Sequence, residues 1–122
     1  MTGVAGYPSN TEGWGRVNLD ESLLFSGDAS NLFVDDVRRA NGLTTGQTVE
    51  HVLNVTSTST PLEVTLAFTD FPGNVGASNP VVNDLDLLVI APNGTQYRGN
   101  VMTNGTSNPG GALFQDLQVD QT

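Results

Sequence analysis

The sequence predicts an all-β fold, an antiparallel β-sandwich with a short N-terminal helix, from three observations. Apolar and polar residues alternate along 49–55 and 62–69, which is the period of two of strands with one buried face. The apolar run at 85–91 is closed by Pro92-Asn93-Gly94 and is too short to span a membrane, so it predicts a buried strand. Glycine, asparagine and threonine are abundant, as is typical of strands and turns.

The N-terminal part predicts an arm and a short helix. Residues 1–13 are polar and rich in glycine. Asn18, followed three residues later by Glu21, has the pattern of a capping box, and it predicts a helix of about two turns at 19–25. Such a helix is not stable alone, so it must dock on other residues. The expected anchors are Trp14, Val17 and Leu23.

Short strands separated by turns are expected to form the rest of the chain as one sandwich. We expect the strands at 47–55 and 62–69 to be antiparallel neighbours, and the strand at 85–91 to be central. The turn at 91–94 leads to a return strand. The other expected elements are an edge strand at 31–39, a loop at 70–80, the return strand at 95–101, a polar loop at 102–111 and a last strand at 113–119.

Composition and charge exclude several classes of function. The formal charge is -9, with four arginines and no lysine, which argues against nucleic acid and makes cations the more natural partner. There is no cysteine, so disulfides and thiol catalysis are excluded. We expect no membrane span, and the first residues do not have the pattern of a signal peptide. Three glycosylation-type triplets, at Asn54, Asn93 and Asn104, are interpreted as chance occurrences.

Two segments resemble a known family of enzymes. The motif GWGRVNLD at 13–20 resembles the end of the catalytic domain of subtilisin-like serine peptidases. PLEVTLAFTDFPG at 61–73 and VVNDLDLLVIAPNGTQY at 81–97 resemble the C-terminal β-sandwich of the large alkaline subtilases, and more distantly the P domain of proprotein convertases.

The resemblance implies a jelly-roll-like sandwich that accompanies a peptidase. Residues 1–27 would be the arm and the end of the catalytic domain, and 28–122 the sandwich. Strands that the resemblance leads us to expect after Asn108 are missing, so the sandwich would be either truncated at its C-terminal end or smaller than that of the family. The implied protein is secreted as part of a larger precursor. Its catalytic triad would lie in a preceding domain, so this chain is expected to be non-catalytic. An unpaired edge strand would favour self-association.

Acidic and amide side chains cluster in sequence around the strand at 85–91. Asp84 and Asp86 are two residues apart and therefore point to the same side of an extended chain. Oxygen ligands from both ends of the preceding loop could converge there on calcium, which the resembled enzymes bind in this domain. The alternative is that these side chains cap turns without a metal. The candidate ligands are Asp70, Asp84, Asp86, Asn83 and Asn79.

His51, the only histidine, is expected to be a boundary residue with one polar partner rather than a catalytic base. The leading hypothesis is thus a non-catalytic C-terminal domain of a secreted subtilisin-like peptidase, which stabilises the catalytic domain and binds calcium. The alternative is a free-standing module that binds carbohydrate or protein, although such modules usually expose a row of aromatic residues. An independent hydrolase is disfavoured, because no pair of nucleophile and base can be assembled.

Overall fold

The computed structural model describes residues 13, 15–78 and 81–111. Within this part, residues Val17–Leu62 form one unit, and residues 13 and 15–16 belong with those from Glu63 onward in a second. The first unit has little regular structure, whereas the second contains the β-sheet. The boundary expected after residue 27 remains a prediction.

The N-terminal helix is a single turn, α1 (Leu19–Ser22). Asn18 is its N-cap, and the Asn18 Oδ1 accepts a hydrogen bond from the Asp20 amide at 3.1 Å. The helix ends at once because no apolar surface covers it: Val17, Leu19 and Leu23 are all exposed. The predicted two-turn helix with docked anchors is therefore not supported. Trp14, the third expected anchor, lies outside the described residues.

The rest of the first unit is made of extended segments and turns. A 3-10 helix at Arg39–Asn41 is its other regular element. Two turns are each closed by one bond between backbone groups and one bond in which a backbone amide donates to a side-chain oxygen, between Phe25 and Asp28 and between Thr44 and Gln47. Among the described residues no strand ladder forms at 31–39 or 47–55, nor at 62–69 in the second unit, so the strands predicted at these three places are not seen.

The second unit contains an antiparallel sheet of three strands in the order β1-β2-β3. The strands are β1 (Leu88–Ile90), β2 (Gln96–Thr103) and β3 (Thr106–Pro109). Leu88 lies opposite Arg98, and the Gly99 amide extends the pairing by donating to the Leu87 carbonyl at 3.0 Å. The described secondary structure is therefore predominantly β, as expected.

The turn between β1 and β2 forms where the sequence predicts it. The Gly94 amide donates to the Ala91 carbonyl at 2.8 Å, and the Asn93 Oδ1 accepts from the Thr95 amide at 3.0 Å. Gly94 has φ of 83°, a left-handed conformation that glycine adopts without steric cost. The Asn side chain and the Gly backbone together fix the register of the hairpin.

The predicted polar loop at 102–111 is wrong, because this stretch completes β2, turns and forms β3. Asn104 and Gly105 have φ of 51° and 77°, the positive values that a type I′ hairpin turn requires. Met102 then pairs with Ser107, and Thr103 with Thr106. The expectation that the strand at 85–91 is central is also not met in the described part, where β2 is central and β1 lies at an edge.

Side-chain exposure alternates along both segments that precede the hairpin; the sequence predicts this for 62–69, whereas the strand at 85–91, predicted to be buried, has only one half-buried face. Val64, Leu66 and Phe68 are half-buried, and the residues between them are exposed. Leu85, Leu87 and Val89 are likewise half-buried, whereas Asp84, Asp86, Leu88 and Ile90 are exposed. No described apolar side chain is fully buried, and a second sheet of a sandwich is not seen among these residues.

Two remaining expectations concern the ends of the chain and the membrane. The predicted strand at 113–119 lies outside the described residues. Among the residues described, no helix is both long and apolar enough to cross a bilayer.

Candidate functional site

Asp70 joins the end of segment 62–70 to the start of the segment that contains β1. Its Oδ2 accepts hydrogen bonds from the amides of Val82 at 2.8 Å and Asn83 at 3.1 Å. Its Oδ1 accepts from the Asn83 Nδ2 at 2.7 Å, the Asn83 amide at 3.2 Å and the Phe71 amide at 2.8 Å. We call this set of bonds the Asp70 clasp. It closes the loop between the two segments.

The clasp stabilises the ionised form of the carboxyl group. The hydrogen bond from the Val82 amide is the main reason why the pKa of Asp70 lies below its ordinary value of 3.8, and the bonds from Asn83 and Phe71 act in the same direction. Partial desolvation opposes them but does not prevail. Because both oxygens already accept from donors, a cation bound by Asp70 would have to displace one of these bonds.

Asp84 and Asp86 lie on the exposed face of the chain that leads into β1. The alternation of exposure along 84–90 places both carboxylates on the same side as Leu88 and Ile90. The register of the hairpin, with Leu88 opposite Arg98, brings the Arg98 side chain to this same face. Two acids and one arginine are therefore grouped at the entrance of β1.

The charges in this group act on Asp86. Desolvation is the main cause that raises the pKa of Asp86 above 3.8, and repulsion by the Asp84 carboxylate adds to it, while Arg98 lowers it. The Arg98 Nη2 donates to the Gln96 Oε1 at 3.4 Å, and its Nε is buried with no hydrogen-bond partner in the part of the chain described. A cation near Asp84 and Asp86 would relieve their repulsion.

The five predicted ligands are thus only partly brought together. Asp70 and Asn83 are in direct contact, and Asp84 and Asp86 interact through their charges. Asn79 lies outside the described residues. No group of three or more His, Cys, Asp or Glu side chains that could hold a metal occurs among the residues that are described. The hydrogen bonds between Asp70 and Asn83 match the alternative interpretation, in which the acidic and amide side chains hold a loop in place without a metal.

In the first unit, His51 has the single polar partner that the sequence led us to expect. Its Nε2 lies 3.1 Å from the Asp35 Oδ2, and its ring is 5.3 Å from that of Phe33 between centroids. This contact joins the two extended segments at 31–39 and 47–55. Both side chains are more than one third exposed, so the interaction adds little to stability.

Arg98 is the member of the site that the sequence analysis did not identify. A signal was present, because the Pro92-Asn93-Gly94 turn predicts a hairpin whose register pairs residues at equal distance from the turn. Extending that register from Gln96 and Ile90 places Arg98 opposite Leu88 and close to Asp86.

No family model, curated protein or solved structure matches the chain.

We predict that Asp70→Asn destabilises the second unit at neutral pH and changes its response to acid. Because the pKa of Asp70 is lowered on folding, its contribution is present above the ordinary value of 3.8 and is lost as the pH falls through the lower, folded value. Chemical denaturation is measured from about pH 2 to about pH 7, a range that includes the ordinary pKa of a carboxyl group. Below pH ~4 the free energy of unfolding should fall less steeply in the variant than in the unmodified chain. Asp36→Asn, an exposed acid in the first unit, is the control. An unchanged acid slope in Asp70→Asn would contradict the role of the clasp.

We predict that Asp84→Asn lowers the pKa of Asp86 towards 3.8 without reaching it, because desolvation remains when the repulsion is removed. Arg98→Gln should raise the same pKa further, since it removes the attraction of the cation. Carboxyl carbon shifts followed by NMR during a pH titration measure both effects, with Glu63→Gln as a control outside the group. If the Asp86 titration is identical in Asp84→Asn and the unmodified chain, the two acids do not interact.

Proposed function

We propose that this chain is a non-catalytic C-terminal accessory domain of a secreted, subtilisin-like serine peptidase. In this proposal the domain packs on the catalytic domain of the same parent chain, stabilises it, and binds calcium near Asp84 and Asp86. The chain itself performs no catalysis, because the catalytic triad belongs to the neighbouring domain. The two motifs at 13–20 and 61–97 suggest the family.

The observation that carries the proposal is the exposed apolar surface of the unit Val17–Leu62. Leucine, valine and phenylalanine side chains of this unit are exposed to about half of their area or more, so covering each one would contribute a part of the roughly 1.5–3 kcal/mol that burying a fully exposed side chain provides. Such a surface is suited to packing against another domain. Its members include Leu23, Leu24, Phe25, Leu32, Phe33, Val34 and Val37.

The proposed sandwich extends the sheet at the outer edge of β1. Segment 62–69 has the exposure pattern of a strand, and the Asp70 clasp holds its end beside Val82 and Asn83. In an antiparallel register that places residue 70 opposite residue 83, the half-buried positions within 64–68 lie opposite the half-buried positions within 85–89. Phe68 would then face Leu85, and Leu66 would face Leu87. A shift of the register by one residue would place half-buried residues of one segment opposite exposed residues of the other. The exposure pattern therefore favours the register given above.

Calcium binding is supported by the charge of the site. Asp84 and Asp86 repel each other on an exposed face, and both carboxylates are available to a hard cation that prefers oxygen ligands. The Asp70 clasp would then have a supporting role, since it positions the backbone at Asn83 next to these acids. The remaining calcium ligands would be carbonyl oxygens and water.

The register of the proposed sandwich predicts a disulfide between cysteines introduced at Thr65 and Leu88. These positions would be directly opposite each other on the exposed face, within the distance that a disulfide spans. The chain contains no other cysteine, so mild oxidation followed by non-reducing electrophoresis gives a direct answer. The control pair is Thr69→Cys with Ile90→Cys, which the register separates by roughly 20 Å. Intermolecular dimers from Leu88→Cys would instead indicate that the edge of β1 pairs with a second copy of the chain.

The accessory role predicts that the purified chain slows the thermal inactivation of the catalytic domain of a large alkaline subtilase. Val34→Asp should weaken this protection, because it places a charge on the exposed apolar surface of the first unit. Val75→Asp is the matched control: the same substitution at a fully exposed residue of a loop in the second unit. Equal effects of the two variants, or no protection by the unmodified chain, would contradict the proposal. Retention on a polysaccharide without protection would favour the alternative of a binding module.

The calcium proposal predicts a rise in melting temperature with millimolar calcium, since a ligand bound only to the folded state stabilises it. The double variant Asp84→Asn/Asp86→Asn should lose this rise. Asp70→Asn should melt at a lower temperature yet keep most of the calcium response. Because the chain carries a net charge of -9, sodium chloride at the same ionic strength must be tested to account for screening. An equal rise with both salts would exclude a specific site.

A further inference from the structure

Asn104-Gly105 has the features of a site of spontaneous covalent modification. In an Asn-Gly pair the glycine amide nitrogen can attack the side-chain carbonyl carbon of the asparagine, because glycine has no side chain to obstruct the approach. The chain contains three such pairs, at Asn41-Gly42, Asn93-Gly94 and Asn104-Gly105. The hydrogen bonds of the three differ.

The first two pairs are restrained at the attacking nitrogen. The Gly94 amide donates to the Ala91 carbonyl at 2.8 Å, and the Asn93 Oδ1 is held by the Thr95 amide at 3.0 Å. The Gly42 amide donates to the Arg39 carbonyl at 3.3 Å at the end of the 3-10 helix. Reaction at either pair requires these bonds to break first.

The third pair lacks such restraint. Asn104 and Gly105 are both exposed at the tip of the β2–β3 hairpin. The Gly105 amide and the Asn104 side chain have no hydrogen-bond partner among the described residues. Next to the turn the hairpin is held by two residue pairs, Met102 with Ser107 and Thr103 with Thr106, and by the hydrogen bond that the Asn108 Nδ2 donates to the Thr103 Oγ1 at 2.7 Å. Local opening there disrupts few contacts.

We infer that Asn104 is the preferred site of deamidation in the folded chain. The deprotonated Gly105 nitrogen forms a bond to the Asn104 Cγ, the bond from Cγ to Nδ2 breaks, and ammonia leaves. The resulting five-membered succinimide is opened by one water molecule at either carbonyl. The products are aspartate, with its normal backbone, and isoaspartate, in which the main chain passes through the side-chain carbon.

The modification changes both charge and register. Each product adds one negative charge to a chain that already carries -9. Isoaspartate also adds one backbone atom to a two-residue turn, whose length fixes the pairing of Met102 with Ser107. The reaction is therefore expected to loosen β3 while leaving the β1–β2 hairpin in place.

The test compares the three sites in the folded and the unfolded chain. The purified protein is incubated in mildly alkaline buffer, with and without concentrated urea, and peptide mapping by mass spectrometry follows each asparagine over time. In urea the three pairs should react at similar rates. In the folded chain Asn104 should react roughly tenfold faster than Asn93, because Asn93-Gly94 must first break two hydrogen bonds. Rates at Asn41 or Asn93 that equal or exceed the rate at Asn104 in the folded chain would overturn the inference.

A pair of variants gives a second readout. Asn104→Gly removes the reactive amide and keeps a residue that tolerates the positive φ of the turn. It should abolish most of the acidic species that isoelectric focusing detects in the aged, folded protein. Asn93→Gly, the matched control, should leave them nearly unchanged. The opposite result, with most acidic species lost in Asn93→Gly, would contradict the inference.

Discussion

The Asp70 carboxylate is the interaction on which the second unit depends most. It accepts from Phe71, Val82 and Asn83 and so joins residues 12 and 13 positions apart in the sequence. Hydrogen bonds to an ionised acceptor are stronger than neutral ones. The loop between the two segments therefore needs no apolar core of its own to remain closed.

The clasp also determines what the neighbouring acids can do. By fixing the backbone at Asn83, it sets which face of the following segment points outward, and this face carries Asp84 and Asp86. Asp70 and Asp86 respond to their surroundings in opposite ways. Donors lower the pKa of the former, while desolvation and Asp84 raise that of the latter. Asp70 is thus satisfied by the protein itself, and the Asp84–Asp86 pair gains from an added positive charge.

The sequence predicted those features that depend on local patterns. The turn at Pro92-Asn93-Gly94 and the shared face of Asp84 and Asp86 follow from residue type and a period of two. The β3 strand was missed because its residues, Thr106–Pro109, are polar, although the Asn104-Gly105 pair is a strong hairpin signal. The Asp70 clasp could not be read from the sequence, since nothing local says which amides a carboxylate will meet across a loop. The helix was overestimated for a related reason: the Asn18 cap forms, but helix length depends on packing that α1 does not have.

The distribution of apolar residues is the physical reason why we propose a second layer. A sheet of three strands with one half-buried face is near the lower limit of independent stability. Its residues Leu85, Leu87 and Val89 each gain only part of the free energy that full burial would provide. In the unit Val17–Leu62 many apolar side chains are exposed, and the extended segments form no strand ladder. In the accessory domain that we propose, the cover for these surfaces comes from completing the sandwich and from the catalytic domain. Stability would then be a property of the parent protein more than of this chain alone.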